Sequence, residues 1–280
     1  MENDLSVLMS VYNGEKPDNL DESMESILRQ TVLPSYFILV IDGYISDELD
    51  IVIQNKYLKF EKKNISLKIV RLKKNQGLTI ALNAGLNECK TKYVARMDSD
   101  DISNKSRFEK QMEKLLENKE LDIIGSDVSE FVSDNGKKKE INYKTMPSSN
   151  GDILAYSKLR NPFCHPTVIF KRDMVKSVGN YEECHYFEDY YLWIRLFKHR
   201  CIGMNINEPL VAMRVDEGLY LRRSGLSYVK DIFNFRRKAL QIGYQNFFEF
   251  LYTIILQGMV AIVPSQLREL VYNKLLRKKI

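Results

Sequence analysis

The chain has 280 residues, 44% of them hydrophobic and 28% charged, enough apolar content for a sizeable core and too much for a disordered protein. Its 42 basic and 37 acidic residues leave a net charge of +5, too small and too dispersed to imply nucleic acid by itself. Four cysteines, Cys89, Cys164, Cys184 and Cys201, stand far apart with no Cys-x-x-Cys pair; this argues against a zinc knuckle or a disulfide framework and predicts free thiols in a reducing compartment. The opening Met1-Glu2-Asn3-Asp4 is acidic where a secretory signal is basic, and the apolar run 5–11 is too short for one, so a cytoplasmic location is expected.

The first hundred residues repeat a β-rich run, a turn and an amphipathic stretch, the pattern of βαβ units in a mostly parallel sheet. Residues 5–11 predict the first strand and 18–30 the first helix. The nearly all-apolar run 36–42 reads as a central strand buried on both faces, followed by a helix over 47–60 and a third strand over 65–72. After Asn75-Gln76-Gly77 a helix runs to about residue 88, and 93–97 form a fourth strand that ends abruptly in Asp98-Ser99-Asp100-Asp101. A helix is expected over 103–118, a strand over 121–131, and a turn at 133–136 leading into 137–144. In the middle third, Pro162, Pro166 and Gly179 punctuate short elements that include a strand over 167–170, before a helical pattern resumes at 187–199. Beyond residue 227 come helices with long apolar runs and basic ends, which divides the chain into a domain of residues 1–225 and a helical extension of residues 226–280. No internal repeat is evident.

Asp98, Asp100 and Asp101 follow a strand that reads as buried, so three carboxylates converge at its carboxyl end, where open parallel sheets bind ligands. A hard divalent cation bound together with phosphates needs one or two carboxylates, phosphate oxygens and water filling its other positions. Taken alone, an Asp-x-Asp is more often an Asx-rich turn with Ser103 capping the next helix. Here the setting decides. Ser10-Val11-Tyr12-Asn13 ends the first strand, Asp42-Gly43 ends the second and Asn75-Gln76-Gly77 follows the third, and a parallel sheet gathers these segments along one edge with the aspartates. Each also fits an ordinary role, Tyr12 as a packed aromatic, Asp42-Gly43 as a turn and Gly77 as a helix start. Together they point to a nucleotide-like ligand with a metal-bound diphosphate.

Four ordered motifs carry a resemblance: Ser10-Val11-Tyr12-Asn13, the spacing Asn75-x-Gly77-x-x-x-Ala81-x-Asn83-x-Gly85, Asp98-Ser99-Asp100-Asp101, and Glu188-Asp189 followed by Trp193-Ile194-Arg195-Leu196. The chain resembles the family 2 glycosyltransferases of the GT-A fold over roughly residues 5–215, most closely those of bacterial surface-polysaccharide (O-antigen or capsule) assembly. The resemblance implies an α/β domain, a Rossmann-like mostly parallel sheet flanked by helices. It implies that Ser10, Tyr12, Asn13, Asp42, Asn75, Gly77, Asn83, Asp98 and Glu188 line the donor site, with Tyr12 and Asp42 on the base and ribose and Asp98 on the ribose or donor sugar. Asp100 would bind Mn²⁺ or Mg²⁺ bridging the diphosphate, and Asp189 would be the catalytic base. The expected partners are a nucleotide-sugar donor, a UDP-sugar being favoured, and a glycan or polyprenyl-diphosphate-linked saccharide acceptor; no nucleic acid is expected. The chain departs from the family at two places. Ile41 stands where many members have a first aspartate, and no late histidine matches near Met213-Arg214-Val215-Asp216, where Asp216 or water would have to substitute.

The chemistry asks for the same groups. Transfer of a sugar from a nucleotide diphosphate to an alcohol requires removal of the acceptor proton and neutralisation of charge on the leaving diphosphate. Without the upstream motifs, Glu188-Asp189 would read as an ordinary acidic first turn of a helix. A dinucleotide oxidoreductase needs Gly-x-Gly-x-x-Gly after its first strand, where this chain has Tyr12-Asn13-Gly14-Glu15. A phosphotransferase with Asp98 as nucleophile leaves Tyr12, Asn75-Gly77 and Glu188-Asp189 unexplained. A non-catalytic nucleotide-sugar-binding or scaffold module would bind donor without turning it over. None of the three histidines has a partner at metal-ligand spacing, which predicts structural or surface roles, His165 being the one placed to line the acceptor or diphosphate site. Trp193 is predicted to pack beneath the Asp189 turn.

Residues 247–263 are mostly apolar but contain Glu249, Gln257 and Gly258, and their length is at the bottom of the roughly 17 to 25 residues a membrane span needs. Residues 265–280 carry Arg268, Lys274, Arg277, Lys278 and Lys279 against Glu269. Two readings stand: helices peripheral on the anionic inner face of the cytoplasmic membrane, or a core-packed tail with a solvated basic end.

Overall fold

The structure is a computed structural model and describes residues 4–134, 137–215, 225–262 and 278–279. Strand β1 (Leu5–Val11) lies parallel between β2 (Tyr36–Asp42) and β4 (Tyr93–Arg96), and β3 (Ser66–Leu72) pairs in parallel with β2. Helices α1 (Pro17–Leu28), α2 (Asp47–Lys62) and α3 (Leu78–Glu88) make the connections, giving the order β3-β2-β1-β4. Beyond β4 the direction alternates. β8 (Ile169–Lys171) is antiparallel to β4 and to β6 (Ile123–Asp134), and β7 (Lys137–Lys144) and β10 (Lys278–Lys279) continue that side. β9 (Gly203–Arg214) runs parallel to β6 and pairs with the short β5 (Ile102–Ser103).

The apolar runs of the first two strands are explained by what covers them. Leu5, Val7, Met9 and Val11 of β1, with Phe37, Leu39 and Ile41 of β2, join one core beneath α1, α2 and α4 (Arg107–Glu117). Leu8, Ile38 and Val40 point the other way, into a second core with α3 and α7 (Glu188–Lys198). Successive side chains face opposite sides of a strand, so a strand covered on both faces must be apolar throughout. Ile41, at the position where many family members carry an aspartate, belongs to the first core and is fully buried. Gly85 lets α3 approach closely: a Cβ there would stand 2.3 Å from Leu8 Cδ1 and 2.7 Å from Val40 Cγ2.

The middle third holds elements that the sequence pattern did not delimit: α5 (Asn150–Tyr156), capped by the Ser149 side chain, α6 (Arg172–Ser177) and β9. The expected strand over 167–170 is a 3₁₀ turn at His165–Thr167 followed by β8, since Pro166 fixes its own backbone in a turn geometry. All four cysteines are free and buried, and burial pushes the thiols of Cys89 and Cys184 up to about 12, which leaves them inert.

The two C-terminal helices differ in how they pack. In α8 (Gly225–Gln241) Phe235 stacks on Phe187, with ring centroids 4.8 Å apart, and the buried Arg236 donates to the carbonyl oxygens of Lys158 at 3.1 Å and Leu159 at 2.8 Å, so α8 is part of the packed body. The next helix, α9 (Phe247–Ile262), leaves Phe247, Phe248, Leu251, Tyr252, Ile255 and Met259 exposed. At 100° per residue these six fall within an arc of about 140°, a continuous apolar stripe facing outward. Most of the basic tail, residues 263–277, lies outside the described residues.

Helices α1 and α2 are held by a buried lysine. Lys56, 1% exposed, places its ammonium 3.0 Å from Asp21 and 2.8 Å from Glu25. The Lys56 hydrogen bond holds the Glu25 carboxyl down at about 2. Because this folded-state value lies below the unfolded one, the contribution is present above the unfolded value near 4.5 and is lost as pH falls toward 2. Thermal unfolding should therefore lose on the order of 2 kcal/mol of stability between pH 5 and pH 2 from this group, allowing for screening of its exposed quarter. Glu25→Gln should be less stable than the parent at pH 6 and show a flatter acid limb; an unchanged limb would show that the clamp contributes nothing.

Candidate active site

The sheet delivers its loops to one edge. At the end of β2 the Asp42 carboxylate accepts the backbone N–H of Gln76 and of Gly77, each at 2.8 Å, and so pins the start of α3 against the second strand. Gly43 is required beside it: its φ is +86°, and a Cβ would lie 2.4 Å from the backbone nitrogen of Asn75. Gly77, with φ +89°, turns the chain into α3. Asn75 and Gln76 are exposed on the resulting shelf. Tyr12, at the end of β1, is 53% exposed with its ring lying over Gly14, where a Cβ would meet the ring at 2.4 Å. Asn13 is exposed and Ser10 half-buried at the same strand end. Asn83 is engaged elsewhere, donating to the carbonyl of Tyr181 at 2.9 Å and accepting that residue's N–H at 3.0 Å. Its amide nitrogen and oxygen both engage the Tyr181 backbone, which makes it a clamp on that loop.

The acidic turn after β4 is ordered by contacts from distant segments. Asp98 pairs with the buried Arg96, and its carbonyl oxygen accepts the Ser23 hydroxyl at 2.7 Å. Asp101 is buried and accepts the backbone N–H of Arg214 at 2.8 Å, while its Oδ2 has no partner among the described residues. The Arg214 side chain donates to the carbonyl of Asp100 at 3.0 Å and to Glu22 at 2.7 Å, tying the end of β9 to this turn. Glu15 accepts the Ser99 hydroxyl at 2.6 Å and so brings a further carboxylate to the group. Burial, then repulsion from Asp98 and Glu15, pushes the Asp100 carboxyl up to about 7. A divalent cation relieves such a field.

Among the described residues no group of three or more His, Cys, Asp or Glu is arranged to hold a metal by itself. Asp98 and Asp100 nonetheless supply hard oxygens of the kind that, with diphosphate oxygens and water, complete the shell of Mn²⁺ or Mg²⁺. The donor set therefore fits such an ion held jointly with a diphosphate. Asp216 lies outside the described residues.

Facing this turn is the N-terminal end of α7. Glu188 and Asp189 occupy its first turn, where the helix dipole favours negative charge. One Asp189 oxygen accepts the backbone N–H of Tyr190 at 2.6 Å and the other accepts the Asn161 amide at 2.6 Å, so the carboxylate is oriented from two sides. Burial and the neighbouring Asp189 push the Glu188 carboxyl up to about 7, with Asp98 adding repulsion and Arg96 opposing it. Such influences fall off with distance, and Tyr181 feels Arg96, Asp98, Glu188 and Asp189 alike, so the Asp98 turn and the Glu188-Asp189 end of α7 lie near one another. Trp193 is fully buried below, edge-on to Phe163 at 5.7 Å. His165 shares a 2.9 Å hydrogen bond with the Tyr181 hydroxyl, and burial together with Arg96 holds its imidazole well below its usual value, in the neutral form. A separate groove of about 360 Å³ between α4 and β9, lined by Lys110, Glu113 and Lys114 among others, contains none of these residues.

Glu15, Arg96, Asn161 and Arg214 were not among the residues expected from sequence. Arg96 leaves a readable signal, a lone charge in an otherwise apolar strand. Asn161 and Arg214 act on partners 28 and 113 residues away, and only the folded chain brings them there.

Residues 6–179 match the family model described as Glycosyl transferase family 2. The chain is 38% identical over 277 residues to an Escherichia coli UDP-Gal:alpha-D-GlcNAc-diphosphoundecaprenol beta-1,3-galactosyltransferase, covering 98% of this chain and 96% of that protein. It is 35% identical over 269 residues to the amylovoran biosynthesis glycosyltransferase AmsE of Erwinia amylovora, covering 96% and 98%. Among solved structures, S. aureus TarS 1-349 in complex with UDP-GlcNAc superposes with a TM-score of 0.61 at 18% identity, covering 84% of this chain and 66% of that one. This chain spans 39% of the longer TarS structure. At such identity the likeness shows the fold, which is that of these GT-A transferases.

Proposed function

The chain belongs to glycosyl transferase family 2, and we propose that it transfers a hexosyl group from a UDP-sugar to a hydroxyl of a saccharide carried on a polyprenyl diphosphate, in the assembly of a bacterial surface polysaccharide. The observation that carries this reading is the nearness of the Asp98-Ser99-Asp100-Asp101 turn to the Glu188-Asp189 end of α7. A donor diphosphate held at the first places its sugar before the second. The near full-length similarity to the galactosyltransferase that acts on GlcNAc-diphosphoundecaprenol supports both the donor and the acceptor class.

In this reading Tyr12 and the Asp42-ordered shelf at Asn75 hold the base and ribose, and Asp98 contacts the ribose or the sugar. Asp100, with Asp98 beside it, would hold Mn²⁺ or Mg²⁺ against the diphosphate, and the bound ion acts as a Lewis acid that neutralises charge on the leaving group. Asp189, held by Asn161 and the Tyr190 N–H, takes the proton from the acceptor hydroxyl. The hydroxyl oxygen forms its bond to the anomeric carbon from the face opposite the diphosphate as the old carbon–oxygen bond breaks. The configuration inverts and the nucleoside diphosphate departs with the electron pair.

The test is incubation with UDP-sugars, Mn²⁺ and an N-acetylglucosaminyl diphosphate lipid analogue, following release of UDP and the new disaccharide. Asp100→Asn should abolish metal-dependent donor binding with the fold intact, because an amide is a poor cation ligand of similar size. Asp189→Asn should keep donor binding and lose transfer by a factor on the order of a hundred or more. Metal-dependent transfer at wild-type rate in the first variant, or collapse of donor affinity with turnover retained in the second, would overturn the assignments.

The same reading brings the enzyme to the membrane that carries its acceptor, peripherally on the cytoplasmic face. Among the described residues no helix is long and apolar enough to cross a membrane. The outward apolar stripe of α9 has the form of a helix lying in the interface, and the basic residues that follow it in sequence suit an anionic leaflet. Phe248→Glu combined with Ile255→Glu should release the protein from anionic liposomes in sedimentation, while transfer to a short soluble acceptor persists. Deleting residues 267–280 should make the remaining binding weaker and less salt-sensitive, since surface charge is screened over about 8 Å at physiological ionic strength. Undiminished sedimentation of the double variant would remove α9 as the attachment.

A further inference from the structure

Arg96 is the last residue of β4, inside the sheet between β1 and β8, where Tyr93, Val94 and Ala95 are buried as a central strand requires. Its side chain is 1% exposed. One terminal nitrogen pairs with Asp98, its backbone N–H donates to Val168 at 2.9 Å, and its carbonyl accepts Arg107 at 2.9 Å. Nε and the other terminal nitrogen are buried and have no hydrogen-bond partner among the described residues. A buried cation with unmet donors is costly and persists where its charge has a use. Most of the groups that feel this charge belong to the site, the buried Arg107 of α4 being the exception. Asp98 is in contact, and Glu188 of α7, the neutral His165–Tyr181 pair and Asp101 lie within its field. Asp98 and Glu188 come from different elements and repel one another.

We propose that Arg96 is a positioning residue for the transfer reaction: anchored in the central strand, it fixes the Asp98 carboxylate toward the donor and supplies the buried positive charge that lets the Asp98 turn and the Glu188-Asp189 end of α7 face each other. This rests on the transferase reading above. A lysine in its place keeps the charge without the planar guanidinium that presents one nitrogen to Asp98, and a glutamine removes the charge while leaving a shorter polar side chain.

The experiment measures kcat and donor KM for the wild type, Arg96→Lys, Arg96→Gln, Glu188→Gln and the Arg96→Gln/Glu188→Gln pair, together with the pH profile. Activity is normalised to folded enzyme. Arg96→Gln should lower kcat at least tenfold and raise donor KM, and Arg96→Lys should recover a substantial part of kcat. The acid limb of the profile should move to higher pH in Arg96→Gln and not in Arg96→Lys, because removing the cation leaves Glu188 facing Asp189 and Asp98 uncompensated. The double variant should lose less than the product of the two single losses, since it removes one member of each repelling pair. A purely structural arginine would lower the melting temperature and leave the KM-to-kcat split and the pH profile of the folded fraction unchanged. That result, or Lys recovering no more than Gln, overturns the proposal. Should Arg96→Gln fail to fold, the double variant compared with Glu188→Gln alone decides, equal kcat and KM counting against it. Absence of transfer by the wild type would instead sink the reading on which the proposal rests.

Discussion

Carboxylates crowd the carboxyl edge of this sheet, and much of the surrounding structure is arranged around keeping them there. Repulsion between like charges grows as solvent is excluded; Asp100 is repelled by Asp98 and Glu15, Asp101 by Asp100 and Asp98, and Glu188 by Asp189 and Asp98. Most are given a neutral or positive partner: the Ser99 hydroxyl for Glu15, Arg96 for Asp98, the Arg214 N–H for Asp101 and, beside Glu188, the Asn161 amide for Asp189. For Asp100, burial and repulsion from Asp98 and Glu15 outweigh the opposing influence of a backbone hydrogen bond and of Arg214. That imbalance makes the turn receptive to a divalent cation, and a cation arriving with a diphosphate brings the anion that balances it.

Holding such a group requires a scaffold that does not relax, and the two-faced packing of β1 and β2 supplies it. With one core beneath α1, α2 and α4 and another beneath α3 and α7, the strands have no free face along which to shift. The strand ends are then joined to each other. Asp42 spends both carboxylate oxygens on the amides that open α3, and Gly43 lets the two segments come into backbone contact. Asn83 does the same between α3 and the Tyr181 loop that precedes Glu188. Two residues expected to touch the donor thus serve to fix the loops on which others present themselves.

The parallel half of the fold was legible because its physics is local. Strands buried on both faces have to be apolar, and the glycine and aspartate turns between them mark their ends, so β1 to β4 and the first three helices fall close to where periodicity puts them. The antiparallel half was harder to read because its strands are buried with polar side chains. Ser126, Asp127, Ser129 and Glu130 of β6 are all buried, with Asp127 bonded to the Met146 N–H and Glu130 to Asn142, and Pro209 interrupts the regular register of β9. Such strands carry no clean alternation. For the site, the motif residues could be placed from sheet topology alone, whereas Asn161, Arg214 and the unmet donors of Arg96 depend on pairings between segments that sequence does not bring together.

The packing of the C-terminal helices links location to chemistry. Phe187 is the residue that enters α7 immediately before Glu188 and Asp189, and its ring lies flat against Phe235 of α8. Arg236, one residue on, closes over the carbonyls of Lys158 and Leu159, just ahead of Asn161, which orients Asp189. The helix that carries the apolar stripe packs in turn on α8, Phe250 meeting Phe233 edge-on. A lipid-linked acceptor is confined to a plane, so its hydroxyl meets the base only if the enzyme stands at a fixed height and tilt on that plane. Attachment through α9 would transmit that height through α8 to Phe187 at the entry of α7 and to the segment just ahead of Asn161. The described part of the C-terminal extension is, in packing terms, joined through α8 to the helix that carries Glu188 and Asp189.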